Sequence, residues 1–103
     1  MSEERIYMFN ALWFNKEGGA ERYERYREAV APLLERAGAR LASSLLSPQA
    51  ALIGEWDADL FFVVEYPSRQ AFEAMVRSED YAKIRHLREE ALEKSLLVRC
   101  QRC

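Results

Sequence analysis

YREAVAPLLERAGAR, residues 26–40, and GEWDADLFFVVEY, residues 54–66, decide the architecture of this chain. In the first run Tyr26, Val30, Leu33, Leu34 and Ala37 recur at helical spacing. Gly38 then suits a left-handed stop, and a strand follows from Arg40. The second run reads as a hairpin that turns at Asp57–Asp59, and its second strand, Leu60 to Tyr66, is apolar on both faces. Upstream, Ile6 to Phe14 has the same character. One face carries Ile6, Met8, Asn10, Leu12 and Phe14, and the other carries Tyr7, Phe9, Ala11 and Trp13. A sheet that is apolar on both faces needs two covers. A chain of 103 residues supplies helices for one. The expected second cover is another copy of the chain, in a homodimer built through the sheet.

Working outward, the first helix is expected over Ala20–Ala37, with Tyr23 joining its apolar stripe. Pro32 inside it predicts a kink or a lost hydrogen bond near Glu28. A second strand is expected over Arg40–Leu46, interrupted by Ser47, Pro48 and Gln49 and resuming over Ala51–Trp56. Pro67 ends the third strand, Ser68 is an N-cap, and a helix starts near Arg69. Ser78, followed by Glu79 and Asp80, reads as a second N-cap that breaks this helix. Phe72, Met75, Val76, Tyr81, Ile84, Leu87, Ala91 and Leu92 supply its apolar face, and Ser95–Gln101 is the last strand. The order β-α-β-β-α-β is the ferredoxin-like one: an α+β fold with an antiparallel sheet and two helices on one face. Residues 1–103 read as a single domain.

Half the residues are apolar and 31% are charged, as in ordinary globular domains. The net charge is −2, with no basic patch of the kind that nucleic acid requires. No apolar run approaches membrane-spanning length. The opening, MSEERIYMF, is acidic and lacks the basic and apolar regions of a signal peptide, so a cytoplasmic protein is expected. Cys100 and Cys103 end the chain as CQRC, read either as a redox or metal half-site or as a strand residue and a terminal thiol. Extended backbone would set their Cα atoms roughly 10 Å apart, beyond disulfide reach. His86, the single histidine, cannot complete a zinc site with them. Neither a metal nor a cofactor is expected.

Several stretches resemble the family called domain of unknown function 1330. Tyr26, Val30, Pro32, Leu33, Leu34, Glu35, Gly38 and Arg40 resemble its first helix. Gly54 to Asp57 resemble its hairpin, and Glu65 to Ser68 its third strand and exit. Ser78, Glu79, Tyr81, Leu87 and Arg88 resemble its second helix. Ile53 stands where the family usually has an acidic residue, and Met75 where it often has tryptophan. The resemblance implies a dimeric α/β barrel, like the antibiotic-biosynthesis monooxygenases and small isomerases and cyclases of that architecture. It implies no particular reaction. In such barrels the small-molecule pocket lies between the sheet and the helices of one protomer.

On that basis Asn10 is the first candidate, a lone amide in an apolar strand that either orients a ligand's carbonyl or phenol or bonds structurally. Tyr26, and His86 as the best general base near neutral pH, complete the catalytic candidates. Trp13, Tyr23, Arg40, Trp56, Tyr81 and Arg88 are the candidate substrate-binding residues. The two arginines either bind an anionic substrate or pair with carboxylates. A glycosidase is excluded. In a tight hairpin Glu55 and Glu65 lie four residues apart along one face, roughly 13 Å, against roughly 5–9.5 Å for such carboxylate pairs. Phosphate loops, nucleophile elbows and zinc helices are absent from the sequence. Two functional readings remain. One is a cofactor-independent oxygenase, isomerase or cyclase acting on a small aromatic or carbonyl-bearing metabolite. The other is a non-catalytic dimer that binds a ligand or a partner.

Overall fold

A computed structural model describes residues 4–103; the first three residues of the acidic opening stretch lie outside the described residues. Its centre is β1 (Ile6–Phe14), which pairs antiparallel with β3 (Leu60–Tyr66) on one side and β4 (Leu92–Cys100) on the other. The short β2 (Arg40–Leu41) lies outside β3, so the sheet order is β2-β3-β1-β4. The described residues also form three helices: α1 (Gly19–Arg36), α2 (Arg69–Val76) and α3 (Glu79–Ala91). This is the ferredoxin-like α+β arrangement, with the second helix divided in two.

Both breaks and stops follow from local chemistry. The Ser68 hydroxyl accepts the Ala71 N–H at 3.0 Å and starts α2. The Ser78 hydroxyl accepts the Tyr81 N–H at 3.1 Å and starts α3. At the end of α1, Gly38 has φ of 76°. Its N–H bonds the Glu35 carbonyl at 3.1 Å, and the Ala39 N–H bonds that of Leu34 at 2.9 Å, the paired closure of a Schellman stop. α1 runs through Pro32 without interruption. Proline has no N–H to return to the Glu28 carbonyl, but both residues are exposed, so water can serve that oxygen.

Residues opposite each other across a ladder share a face. Met8, Asn10 and Leu12 therefore lie on the side of Phe62, Val64 and Tyr66, with Leu97 beside them on β4. This side packs on Tyr23, Tyr26, Val30 and Leu33 of α1, Met75 of α2, and Tyr81 and Ala91 of α3 to form the core. The opposite face carries Phe9, Ala11, Trp13, Phe61, Leu96 and Val98, and among the described residues no helix covers it. No helix among the described residues is long and apolar enough to cross a membrane.

The second strand corrects the sequence reading. Only Arg40–Leu41 pairs with β3, joined by a single bridge between Leu46 and Phe61, and Ala51–Trp56 is not a strand. The expected hairpin, with Trp56 opposite Leu60, does not form. The acidic turn is tied instead to the end of β1. Asp59 Oδ2 accepts the Phe14 N–H at 2.8 Å, the Asp59 N–H bonds the Leu12 carbonyl at 2.8 Å, and Asp57 Oδ1 accepts the Trp13 indole N–H at 2.9 Å. Those bonds hold residues 57–59 against β1 and leave Leu52 and Ile53 standing in solvent, 93% and 98% exposed. β4 begins at Leu92, three residues before the expected Ser95.

The join between β1, α1 and α3 leaves no room for a side chain at Gly19. A Cβ there would stand 2.7 Å from the Ala91 carbonyl oxygen and 3.0 Å from Phe14 Cβ. The backbone oxygen cannot step aside, because it accepts the Asn15 N–H at 2.9 Å. Gly19→Ala is expected to cost roughly 1–3 kcal/mol by overpacking, read as a lower urea midpoint. An unchanged midpoint would mean that this corner is looser than drawn.

Candidate functional site

The helix-facing side of the sheet does not close completely on the helices. A cavity of about 500 Å³ remains, within the range of small-molecule sites. Met8, Asn10, Phe62, Val64 and Tyr66 form its sheet wall, and Tyr23, Tyr26, Val30, Tyr81 and Arg88 form much of its helical wall. α1 presents Tyr23, Tyr26 and Val30 from successive turns of one face. On α3 the Ser78 cap sets the start, so Tyr81 and Arg88, seven residues apart, share a face two turns along.

The tyrosines form one connected group. The hydroxyls of Tyr26 and Tyr81 bond each other at 2.9 Å across the two helices. Their rings meet edge-on at 86° with centroids 6.4 Å apart, and Tyr23 lies 5.4 Å from Tyr26. Burial pushes the Tyr23 phenol up to about 12, while the nearby Arg88 guanidinium pulls the other way. Burial raises Tyr26 further, assisted by Tyr81, and burial likewise raises Tyr66. These three groups are therefore neutral at any physiological pH. They can donate hydrogen bonds to a ligand oxygen; they are poor proton acceptors.

Asn10 is buried on the cavity wall, and one amide N–H goes to the Met8 carbonyl at 3.1 Å. Its other N–H and its carbonyl have no protein partner among the described residues, which leaves them available to a ligand. Arg40 lines the rim, exposed, with Nη2 3.3 Å from Glu65. Of the nine residues singled out from the sequence, Asn10, Tyr23, Tyr26, Arg40, Tyr81 and Arg88 come together here. Three do not. His86 is exposed on α3 and is not part of the cavity wall, so it holds no general-base position there. Trp13 belongs to the uncovered face of the sheet, where its ring lies 6.2 Å from that of Trp56, which packs edge-on against Phe9 and Phe61. Period-2 alternation along β1 puts Trp13 opposite in sense to Asn10, and the Asp57 bond holds Trp56 nearby.

Tyr66 was not anticipated as a site residue, although the same alternation from Phe62 through Val64 leads to it. Glu65 is 4% exposed and sits between Arg5 at 2.9 Å and Arg40 at 3.3 Å. That pairing, invisible without the register of β2, gives the carboxylate a structural role at the sheet edge. Among the described residues no cluster of three His, Cys, Asp or Glu could hold a metal ion, and Cys100 and Cys103 are both exposed.

A ferredoxin-like sheet with helices on one face and a tyrosine-lined cavity beneath them defines the class of protein. The profile of the family described as "Domain of unknown function (DUF1330)" matches residues 14–99, and the chain belongs to that family. Among solved structures it is similar to a protein of unknown function from Rhodopseudomonas palustris, 30% identical, with a TM-score of 0.88 over 98% of this chain and 84% of that one. A dabb family protein with a ferredoxin-like fold from Mesorhizobium loti is 15% identical, with a TM-score of 0.69 over 98% and 99% of the two chains. A dimeric ferredoxin-like protein of unknown function from Jannaschia is 11% identical, with a TM-score of 0.75 over 95% and 99%. None of the curated proteins matches the chain.

The raised phenols set an alkaline signature. Below pH 10, the ordinary tyrosine value, folded and unfolded chains both keep these protons. Between 10 and about 12 the unfolded chain loses protons that folded Tyr23 retains, so stability falls as pH rises through that window. Ultraviolet titration of the folded protein should leave Tyr23, Tyr26 and Tyr66 unionised until the chain unfolds. Full ionisation of all tyrosines near pH 10 with the fold intact would contradict their burial.

Proposed function

We propose that the protein is a homodimer that binds a small aromatic or carbonyl-bearing metabolite in the cavity between its sheet and helices. The observation that carries this reading is the open space beside Asn10. A buried amide with unused hydrogen-bonding capacity faces a set of neutral tyrosine hydroxyls across a cavity whose wall is largely apolar. An apolar ring would fill the space, and a carbonyl oxygen would collect the donors. The expected outcome of calorimetric titration with small aromatic aldehydes, ketones and lactones is saturable binding. Asn10→Leu and Tyr26→Phe should each weaken it by about threefold to tenfold, the scale of one neutral hydrogen bond. A panel in which nothing binds the folded protein would defeat the proposal.

A catalytic reading is favoured by the Tyr26–Tyr81 hydroxyl pair. One of the two O–H groups is spent on the other, and the O–H left free is a buried donor that stabilises an enolate or similar oxyanion better than a neutral carbonyl. Isomerisation or cyclisation of an enolisable compound without a cofactor fits that arrangement, with water accepting the proton lost from carbon and returning one to the product. Tyr26 then acts as donor, and His86 has no part in it. The non-catalytic alternative predicts binding without turnover, so product analysis after incubation separates the two.

The dimer follows from the uncovered sheet face. Leu96, Val98 and Trp56 are 42%, 41% and 40% exposed there, next to Phe9, Trp13 and Phe61. A contiguous apolar surface of this kind marks an interface. The Jannaschia protein is described as dimeric, which supports the same assembly. Light scattering at micromolar concentration should give twice the chain mass. Leu96→Lys with Val98→Lys should give a folded monomer, since neither side chain is buried within one protomer. A wild-type monomer would rule the dimer out.

A further inference from the structure

Arg88 is the one feature of the cavity wall that a neutral ligand leaves unexplained. Its guanidinium comes off the cavity face of α3, half-buried, two turns beyond Tyr81. The other arginines on the wall have carboxylate partners. Arg27 pairs with Glu24 at 2.6 Å, and Arg40 pairs with Glu65 at 3.3 Å. Arg88 has no ion pair among the described residues. The remaining carboxylate of the wall, Glu28, is exposed on α1 and screened by solvent. Beside Arg88 are phenols, which carry no charge to balance it.

A guanidinium keeps its charge whatever its surroundings. Half-buried on the wall with no ion pair among the described residues, Arg88 is open to an anion that enters the cavity. One guanidinium fork matches one carboxylate, bidentate, and the adjoining tyrosine hydroxyls can donate to the same oxygens. The surroundings are apolar or aromatic: Met8, Val30, Phe62 and Val64. We propose that the ligand is a small carboxylic acid with an apolar or aromatic body, its carboxylate held by Arg88 and the Tyr23 hydroxyl and its body lying against Phe62 and Val64. This rests on the reading of the cavity as a ligand site and adds the charge of the ligand to it.

The test uses the full chain and matched pairs of an acid and its neutral amide: benzoate and benzamide, phenylacetate and phenylacetamide, cinnamate and cinnamamide. Calorimetry at neutral pH should show the acid of at least one pair binding more tightly by about tenfold or more, the scale of a charge-assisted bidentate contact. Arg88→Met should erase that preference by weakening the acid far more than the amide, and an unchanged circular dichroism spectrum and melting temperature check that the variant is folded. Arg88→Lys keeps the charge but loses the fork, and should retain part of the preference. Amides that bind as well as their acids, or an acid preference that survives in Arg88→Met, would overturn the carboxylate assignment and leave the cavity reading standing. Failure of acids, amides and neutral carbonyl compounds alike would remove both.

Discussion

Ile6–Phe14 is hydrogen-bonded on both edges and apolar on both faces, and this double demand organises the molecule. Its partners must be antiparallel strands from distant parts of the chain. The register they adopt decides which side chains face the helices. Ala11 and Leu12 are completely buried in a single protomer, although they point to opposite faces. A shift of one residue along this strand would exchange Asn10 for Ala11 in the cavity wall and turn Trp13 inward. The site is thus a consequence of pairing register before it is a consequence of any one residue.

The cavity is maintained by aromatic packing that is directional. Tyr26 and Tyr81 cannot approach more closely than their hydroxyl bond allows, so α1 and α3 are held apart at that level. Gly19 brings the same two helices close at the other end, against the Ala91 carbonyl. Burial keeps the phenols protonated, and the low polarity around them strengthens each bond they can offer. That is a setting for holding an oxygen atom. The phenols themselves are poor proton acceptors, and His86 is exposed and outside the cavity wall.

Much of the site was legible. Tyr23 and Tyr26 announce themselves through the helical stripe of α1, and Asn10 through its isolation in an apolar strand. Tyr81 is placed by the Ser78 cap, whose hydroxyl is found on its N–H. Trp13 and Trp56 were misplaced, because an aromatic residue reads the same whether it lines a cavity or an outer sheet face. The segment between Leu41 and Leu60 misled for a related reason. Its apolar runs, Leu45–Leu46 and Ala51–Ile53, suit a strand, but a strand also needs pairing partners, and the aspartates at its end are anchored to β1.

The sequence by itself determined the α+β class, the order of elements, both serine caps, the Gly38 stop and the two-faced apolar character of the central strands. These are local properties: side-chain periodicity, capping chemistry and the φ angle that glycine permits. Only the tertiary structure decided that the second strand is short, that Glu65 is held between two arginines, and that Arg88 lines the cavity with no ion pair among the described residues. Each depends on which distant groups arrive at the same place. Hydrogen bonds and ion pairs act over a few ångströms in space, and spacing along the chain does not encode that proximity.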